Sequence, residues 1–233
     1  YRALYANTTA SANTAVGYQA LTTNTTGGDS AAFGYQAAQS NTTGSYLTAI
    51  GRQALYNNTT ASSNTAVGYQ AGYSNTTGAR NTYIGDRAGH TNTTMGYNVG
   101  IGSNSLYANV SQGNIGIGPH TLEANSTGTG NIALGSYDAS ANTPALFVNT
   151  TGSYNNAIGV RALTSNTTGS YNVAIGPLAL NSNTTASNNT AVGYQAGYTN
   201  STGQYNTFIG KAAGQVSTSD FNTYVGHDAG LLM

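Results

Sequence analysis

An all-β parallel solenoid (a β-roll) of about 17-residue coils is the fold this sequence predicts, and three observations predict it. A glycine preceded by an aliphatic residue or Phe recurs at Gly17, Gly34, Gly51, Gly68, Gly85, Gly102, Gly118, Gly135, Gly159, Gly176, Gly193, Gly210 and Gly226; the intervals are 17 residues except for two of 16 and one of 24. Short β-prone triplets such as Thr14-Ala15-Val16 run into these glycines, and Asn-Thr-Thr-Gly-like turns separate them. Helices are disfavoured, because Asn, Thr and Gly are poor helix formers and no helical apolar stripe is present.

With the glycine as place 1, each coil can be followed in order. Place 17 is always apolar, as at Val16, Ile50, Ile84, Ile117, Ile175 and Ile209, and these side chains are expected on one internal line. Place 16 is mostly Ala, as at Ala15, Ala66 and Ala191; small residues there are expected to let another chain approach closely. Place 14 is usually Asn (Asn13, Asn64, Asn81, Asn131) and is expected to form a ladder of amides. The glycine turns the backbone into a second strand candidate, Tyr18-Gln19-Ala20-Leu21, and Asn at place 8 opens the other turn. Ordering each residue costs about 1–2 kcal/mol of backbone entropy. Burying one large aliphatic side chain returns only about 1.5–3 kcal/mol. No coil is stable alone, so the coils must stack. Residues 1–233 read as a single repeat domain of about thirteen coils, with an irregular coil at 136–158.

Composition narrows the function. Only 5% of residues are charged, against about 25% in ordinary soluble domains. Six Lys and Arg balance six Asp and Glu, which leaves no basic patch for nucleic acid. There is no cysteine, and the longest aliphatic or aromatic run, Ala145-Leu146-Phe147-Val148, is far too short for membrane insertion. His90, His120 and His227 fall at different places of distant coils, so no catalytic, cofactor or metal site is expected. The chain begins inside a repeat and reads as a mature product or a fragment of something longer.

Three surface features remain as candidates. Asn-x-Ser/Thr recurs at place 8 in Asn7, Asn24, Asn41, Asn58, Asn75, Asn92, Asn109, Asn125, Asn149, Asn166, Asn183 and Asn200. These are turn formers or glycan acceptors, with sugar on Asn or on the neighbouring Thr, and both readings require a solvent-exposed stripe. Tyr18, Tyr35, Tyr69 and Tyr194 at place 2 offer flat surface for stacking sugar rings, or simply shield backbone. The seven-residue insertion around Leu146 and Phe147 is either a specificity loop or a lateral contact with another chain.

The motif Asn-x-Ala-Ile/Val-Gly, seen in Asn13-Thr14-Ala15-Val16-Gly17 and Asn172-Val173-Ala174-Ile175-Gly176, resembles the head repeat of trimeric autotransporter adhesins. Gly68-Tyr69-Gln70-Ala71-Gly72 and Gly193-Tyr194-Gln195-Ala196-Gly197 likewise resemble repeats of phage tail-fibre proteins with an endosialidase-type chaperone. The resemblance covers essentially the whole chain, although its coil is longer than that usual in adhesin heads. It implies a left-handed parallel β-roll, trimeric, serving as fibre shaft, surface filament or adhesin head outside the cell or on a virion. The expected partners are copies of the chain, forming a trimer or filament, and a surface polysaccharide or host receptor. Two alternatives stand beside the structural fibre: a receptor- or glycan-binding phage tail fibre, and an ice-binding solenoid.

Overall fold

The computed structural model describes residues 1–136 and 143–231. It is all-β, with parallel strands three residues long and no helix among the described residues. Contacts divide the chain into two compact units, Tyr1–Gly113 and Asn114–Met233. The first carries β1 (Thr14–Val16), β2 (Ala31–Phe33), β3 (Thr48–Ile50), β4 (Thr65–Val67), β5 (Thr82–Ile84) and β6 (Val99–Ile101). The second carries β7 (Ile115–Ile117), β8 (Ile132–Leu134), β9 (Asn156–Ile158), β10 (Val173–Ile175), β11 (Thr190–Val192), β12 (Thr207–Ile209) and β13 (Thr223–Val225). Within each unit every strand pairs in parallel with the next, place against place, as in Thr48↔Thr65, Ala49↔Ala66 and Ile50↔Val67. Each unit is therefore a β-solenoid.

The coil has one strand, not two. Tyr18-Gln19-Ala20-Leu21 and its equivalents form a turn, because places 3 and 5 adopt left-handed backbone. Gln53 has φ 59°, Leu55 φ 50°, and Ser63 at place 13 φ 61°. A left-handed non-glycine residue costs about 1–2 kcal/mol, so neighbouring coils must hold it there. They do: the Leu55 amide donates to the Ala71 carbonyl at 3.0 Å and the Gln53 amide to the Tyr35 carbonyl at 2.9 Å. Gly51 at place 1 has φ 132°, and a Cβ there would lie 2.4 Å from the Gly68 carbonyl oxygen. Only glycine meets both conditions, which is why the repeat is marked by it.

The strand faces the opposite way from the sequence expectation. Place 16 points inward: Ala49, Ala66, Ala157, Ala174 and Ala191 are fully buried. Places 15 and 17 point outward, leaving Val16, Ile50, Ile84, Ile117, Ile175 and Ile209 exposed. Side chains alternate along a strand, so the three-residue element gives the interior its single middle residue. The large apolar residue of the core comes instead from place 5, as Leu21, Leu55, Leu106, Leu122, Leu163 and Leu180, beside a buried small residue at place 4, usually Ala but Ser105 and Thr121 in two coils.

Three coils replace the inward Ala by an aromatic ring: Tyr83, Phe208 and Tyr224. Glycine at place 5 makes the room. A Cβ on Gly89 would lie 2.2 Å from the Tyr83 ring, and one on Gly214 2.3 Å from Phe208. Leu146 is also an interior place-5 residue, fully buried, with Phe147 half-buried next to it. The contact-loop expectation for Leu146 fails for that reason. The extra residues of this coil precede Thr143, so the insertion falls largely outside the described residues.

Candidate functional site

The Asn-Thr-Thr turn sorts its side chains into three layers. Asn at place 8 is buried in every coil except the first, where Asn7 is exposed. In unit 1 the Asn41 Nδ2 donates to Asn24 Oδ1 at 2.7 Å, Asn58 to Asn41 at 2.9 Å and Asn75 to Asn58 at 2.9 Å. In unit 2 Asn149 donates to Asn125, Asn166 to Asn149 and Asn183 to Asn166, at 2.7–2.8 Å. Each Nδ2 also donates to the carbonyl three residues on, as Asn58 to Ala61 at 3.0 Å. The expected exposed stripe of Asn is thus corrected. Asn24, Asn41, Asn58, Asn75, Asn92, Asn109, Asn125, Asn149, Asn166, Asn183 and Asn200 are interior amides, and no glycan can sit on Nδ2 while that packing holds. Thr at place 9 ties its hydroxyl to the next coil, as Thr42 Oγ1 to the Thr59 carbonyl at 3.0 Å. The second Thr (Thr26, Thr43, Thr60, Thr151, Thr168) is the one facing solvent.

The amide ladder expected at place 14 is found mainly at place 8. Asn at place 14 clamps backbone instead. Asn64 Oδ1 accepts from the Asn81 amide at 2.8 Å, while its Nδ2 donates to the Gly78 carbonyl at 2.8 Å. Direct place-14 amide pairs occur chiefly in unit 2, as Asn172 to Asn155 at 3.1 Å. Buried amides with both ends bonded are the economical way to fill a polar interior.

Outside, two kinds of surface are candidates for function. The first is the strand face, where places 15 and 17 present rows of Thr, Val and Ile. Ile50 is 40% exposed, Ile84 38%, Ile175 38% and Ile209 41%. Tyr46, Tyr97, Tyr154, Tyr171 and Tyr205 at place 13 are exposed two residues before the strand. The second is the place-2 row. Tyr18, Tyr35 and Tyr69 do not offer free faces to sugar rings. Tyr18 stacks on Tyr35 with centroids 5.3 Å apart, and Arg52 lies 5.7 Å from the centroids of both Tyr35 and Tyr69. Only ring edges and hydroxyls remain outward. Tyr194 has no aromatic neighbour in its row, where Pro177 precedes it and Lys211 follows. Sequence reading missed the role of the arginines, although the alternation Tyr35, Arg52, Tyr69 at one place was the available signal.

At place 6 the rings of Tyr56, Tyr73, His90 and Tyr107 stack at 5.1–5.2 Å. Burial, with Arg87 nearby, pulls the His90 pKa below its ordinary value, and Asp86 opposes them weakly. Tyr83, wholly interior, is pushed well above the usual phenol range by burial, so it stays protonated. Among the described residues no group of three His, Cys, Asp or Glu is placed to hold a metal ion. No helix among them is long and apolar enough to cross a membrane. Comparison with protein-family models, curated proteins and solved structures finds no match.

Proposed function

We propose that this chain is a non-catalytic building unit of an extracellular fibre, a shaft, filament or adhesive head, whose copies pack through the exposed strand face. The observation that supports this reading is the row of Ile and Val at place 17, exposed in coil after coil of each unit. Soluble monomers seldom leave contiguous apolar patches of that kind in water. Burial recovers about 25 cal/mol per Å² of apolar surface, and three copies around one axis would cover all three faces at once. The packing surface is therefore places 15 and 17, not the alanines of place 16, which are interior. Light scattering on the purified chain tests it. An oligomer, with a trimer as the expected mass, should be released to monomer by Ile50→Arg combined with Ile175→Arg while the β-sheet circular dichroism persists. A monodisperse wild-type monomer at micromolar concentration overturns the reading.

One observation favours a second reading. Thr14 with Val16, Thr48 with Ile50, Thr65 with Val67 and Thr82 with Ile84 set hydroxyl and methyl rows side by side on an uncharged sheet face. A regular surface of that composition is suited to ordering water against ice. Thermal hysteresis of the monomeric double variant and the wild type separates the two readings. Hysteresis in the wild type, lost on Thr65→Lys, supports ice binding.

A further inference from the structure

We propose that Tyr35, Arg52 and Tyr69 of the place-2 column of unit 1, with Arg87 reaching Tyr69 from the adjoining place 3, form a binding track for a linear polysaccharide bearing carboxylates, a polyuronate with neutral sugars between its acids. Tyr69 is the centre of the track. Arg52 from the preceding coil lies 5.7 Å from its ring centroid, and Arg87 from the following coil 5.8 Å. Tyr35 backs Arg52 from the other side at 5.7 Å. Both arginines are exposed, and neither makes a side-chain hydrogen bond or ion pair with any described residue.

A guanidinium stacked on a ring has its faces covered and its conformational freedom reduced. What remains is the in-plane edge, a rigid fork of N–H donors whose geometry matches a planar carboxylate. Both residues are exposed and neither fork has an internal acceptor, a poised state that a mere shield for the backbone would not need. Beside Arg52 and Tyr69, and leading up to Arg87, runs the place-3 row of half-buried amides, in which Gln53 Nε2 donates to Gln36 Oε1 at 3.0 Å and Gln70 to Gln53 at 3.0 Å. Neutral amides of this sort suit hydroxyl-rich sugars.

Spacing selects the ligand. Arg52 and Arg87 stand two coil steps apart, roughly 10 Å at the normal strand separation. A pyranose in a linear chain advances about one coil step, so alternating uronate and neutral sugars would bring a carboxylate to each fork. Nucleic acid is the wrong polymer: its phosphates follow one another every ~3.4 Å along a strand, and two sparse charges cannot track them. Asp86 is the next residue in the place-2 row and ends the positive run. The neighbouring Arg80 is engaged with the Tyr97 hydroxyl and ring.

The test uses the full chain and a polymer of alternating glucuronate and N-acetylglucosamine, measured by calorimetry at low salt. Uncharged dextran, a densely sulfated galactan and double-stranded DNA are the comparison ligands. The uronate polymer should bind, dextran should not, and Arg52→Gln and Arg87→Gln should each weaken binding about tenfold, as expected for loss of a charge-assisted bidentate contact. Arg161→Gln, in unit 2, should leave binding unchanged. Arg52→Lys keeps the charge but not the fork and should recover less than half of the lost binding free energy. Light scattering and thermal melts on the same samples follow assembly and folding, so failure of the track and failure of the fibre reading are distinguishable. No uronate binding, binding indifferent to both arginines, or tighter binding of DNA or the sulfated polymer would each overturn the proposal.

Discussion

Unit 1 and unit 2 solve one packing problem with two different side chains. In unit 1 the inward strand position of β5 holds Tyr83, seated against Gly72, Gly89 and Gly100; in unit 2 that of β12 holds Phe208, seated against Gly197 and Gly214. Both rings fill space that Leu occupies in other coils, and both need glycine at place 5 of their own coil and of the next. They differ in one atom. The Tyr83 hydroxyl is buried facing Asn92 and Asn98 without closing a well-formed hydrogen bond, while Phe208 brings no polar group inside. Volume is thus conserved across places 5 and 16 jointly, and polarity is tolerated only where amides are near.

The largest effect should come from breaking that shared volume. Gly89→Leu restores the residue other coils carry, but places its Cβ inside the Tyr83 ring, and Gly214→Leu does the same against Phe208. Overpacking of this severity should cost ~3 kcal/mol or more, and chemical denaturation should register a similar loss for both. Tyr83→Ala leaves a cavity costing about 3–5 kcal/mol. Combining it with Gly89→Leu should recover part of that loss. A strictly additive double mutant would show that places 5 and 16 do not share space.

Next in size is the interior amide ladder, present in both units. Asn58→Ala removes the donor to Asn41 and strands the Asn75 amide; Asn166→Ala does the same to Asn149 and Asn183. Each variant should lose about 2–4 kcal/mol, as buried amides are left unpaired on two sides. Equal losses would mean that the units depend on the ladder equally. A loss below ~0.5 kcal/mol in either would return that Asn to a simple turn former at the surface.

These effects mark how far the sequence could be read. The period, the glycine turn and the parallel strands were legible because Gly51 and its equivalents are required twice over, by backbone angle and by contact. The direction of the strand was not. Ile50 and Ala49 alternate, and hydrophobicity alone places Ile50 inside. The interior already had its Leu from place 5, which was visible only in the correlation of Gly72 and Gly89 with Tyr83, and of Gly197 and Gly214 with Phe208. Asn58 was likewise ambiguous, since a residue that starts a turn can aim its amide inward when the next coil supplies a matching amide. The Tyr35–Arg52–Tyr69 column was unreadable as a site while the stacking of neighbouring coils was unknown.

A smaller effect separates the two rings directly. Tyr83→Phe removes the poorly paired buried hydroxyl and should stabilise unit 1 slightly or leave it unchanged within ~1 kcal/mol. Phe208→Tyr introduces a hydroxyl into the matching position and should destabilise unit 2 by about 1–3 kcal/mol. Thermal melts of the two exchanges test whether polarity is tolerated only beside Asn92 and Asn98. A Tyr83→Phe shift much smaller than the Phe208→Tyr loss would support that; equal and opposite shifts would show that the asparagines bring the hydroxyl no relief, and destabilisation by Tyr83→Phe as large as that by Phe208→Tyr would assign the Tyr83 hydroxyl a bond.

The smallest effect is confined to unit 1, where His90 interrupts a stack of tyrosines; the place-6 row of unit 2 holds no histidine. Burial and Arg87 depress its folded-state pKa, so the folded protein holds His90 neutral at a pH where the unfolded chain already binds a proton. The sign follows from proton linkage: between the two pKa values the unfolded state carries more protons, and stability rises with pH. Acidification from pH 7.5 to 5 should therefore weaken the fold through His90, by well under ~1 kcal/mol because the ring is partly exposed and its charge is screened. Protonation also turns the contacts with Tyr73 and Tyr107 into cation–π contacts, which offsets part of the loss. His90→Tyr continues the ring stack without a titrating group. Its melting temperature should be flatter than that of the wild type across this range, with the two curves meeting near neutral pH. A wild type that gains stability on acidification, relative to His90→Tyr, would show that the cation–π contacts outweigh burial.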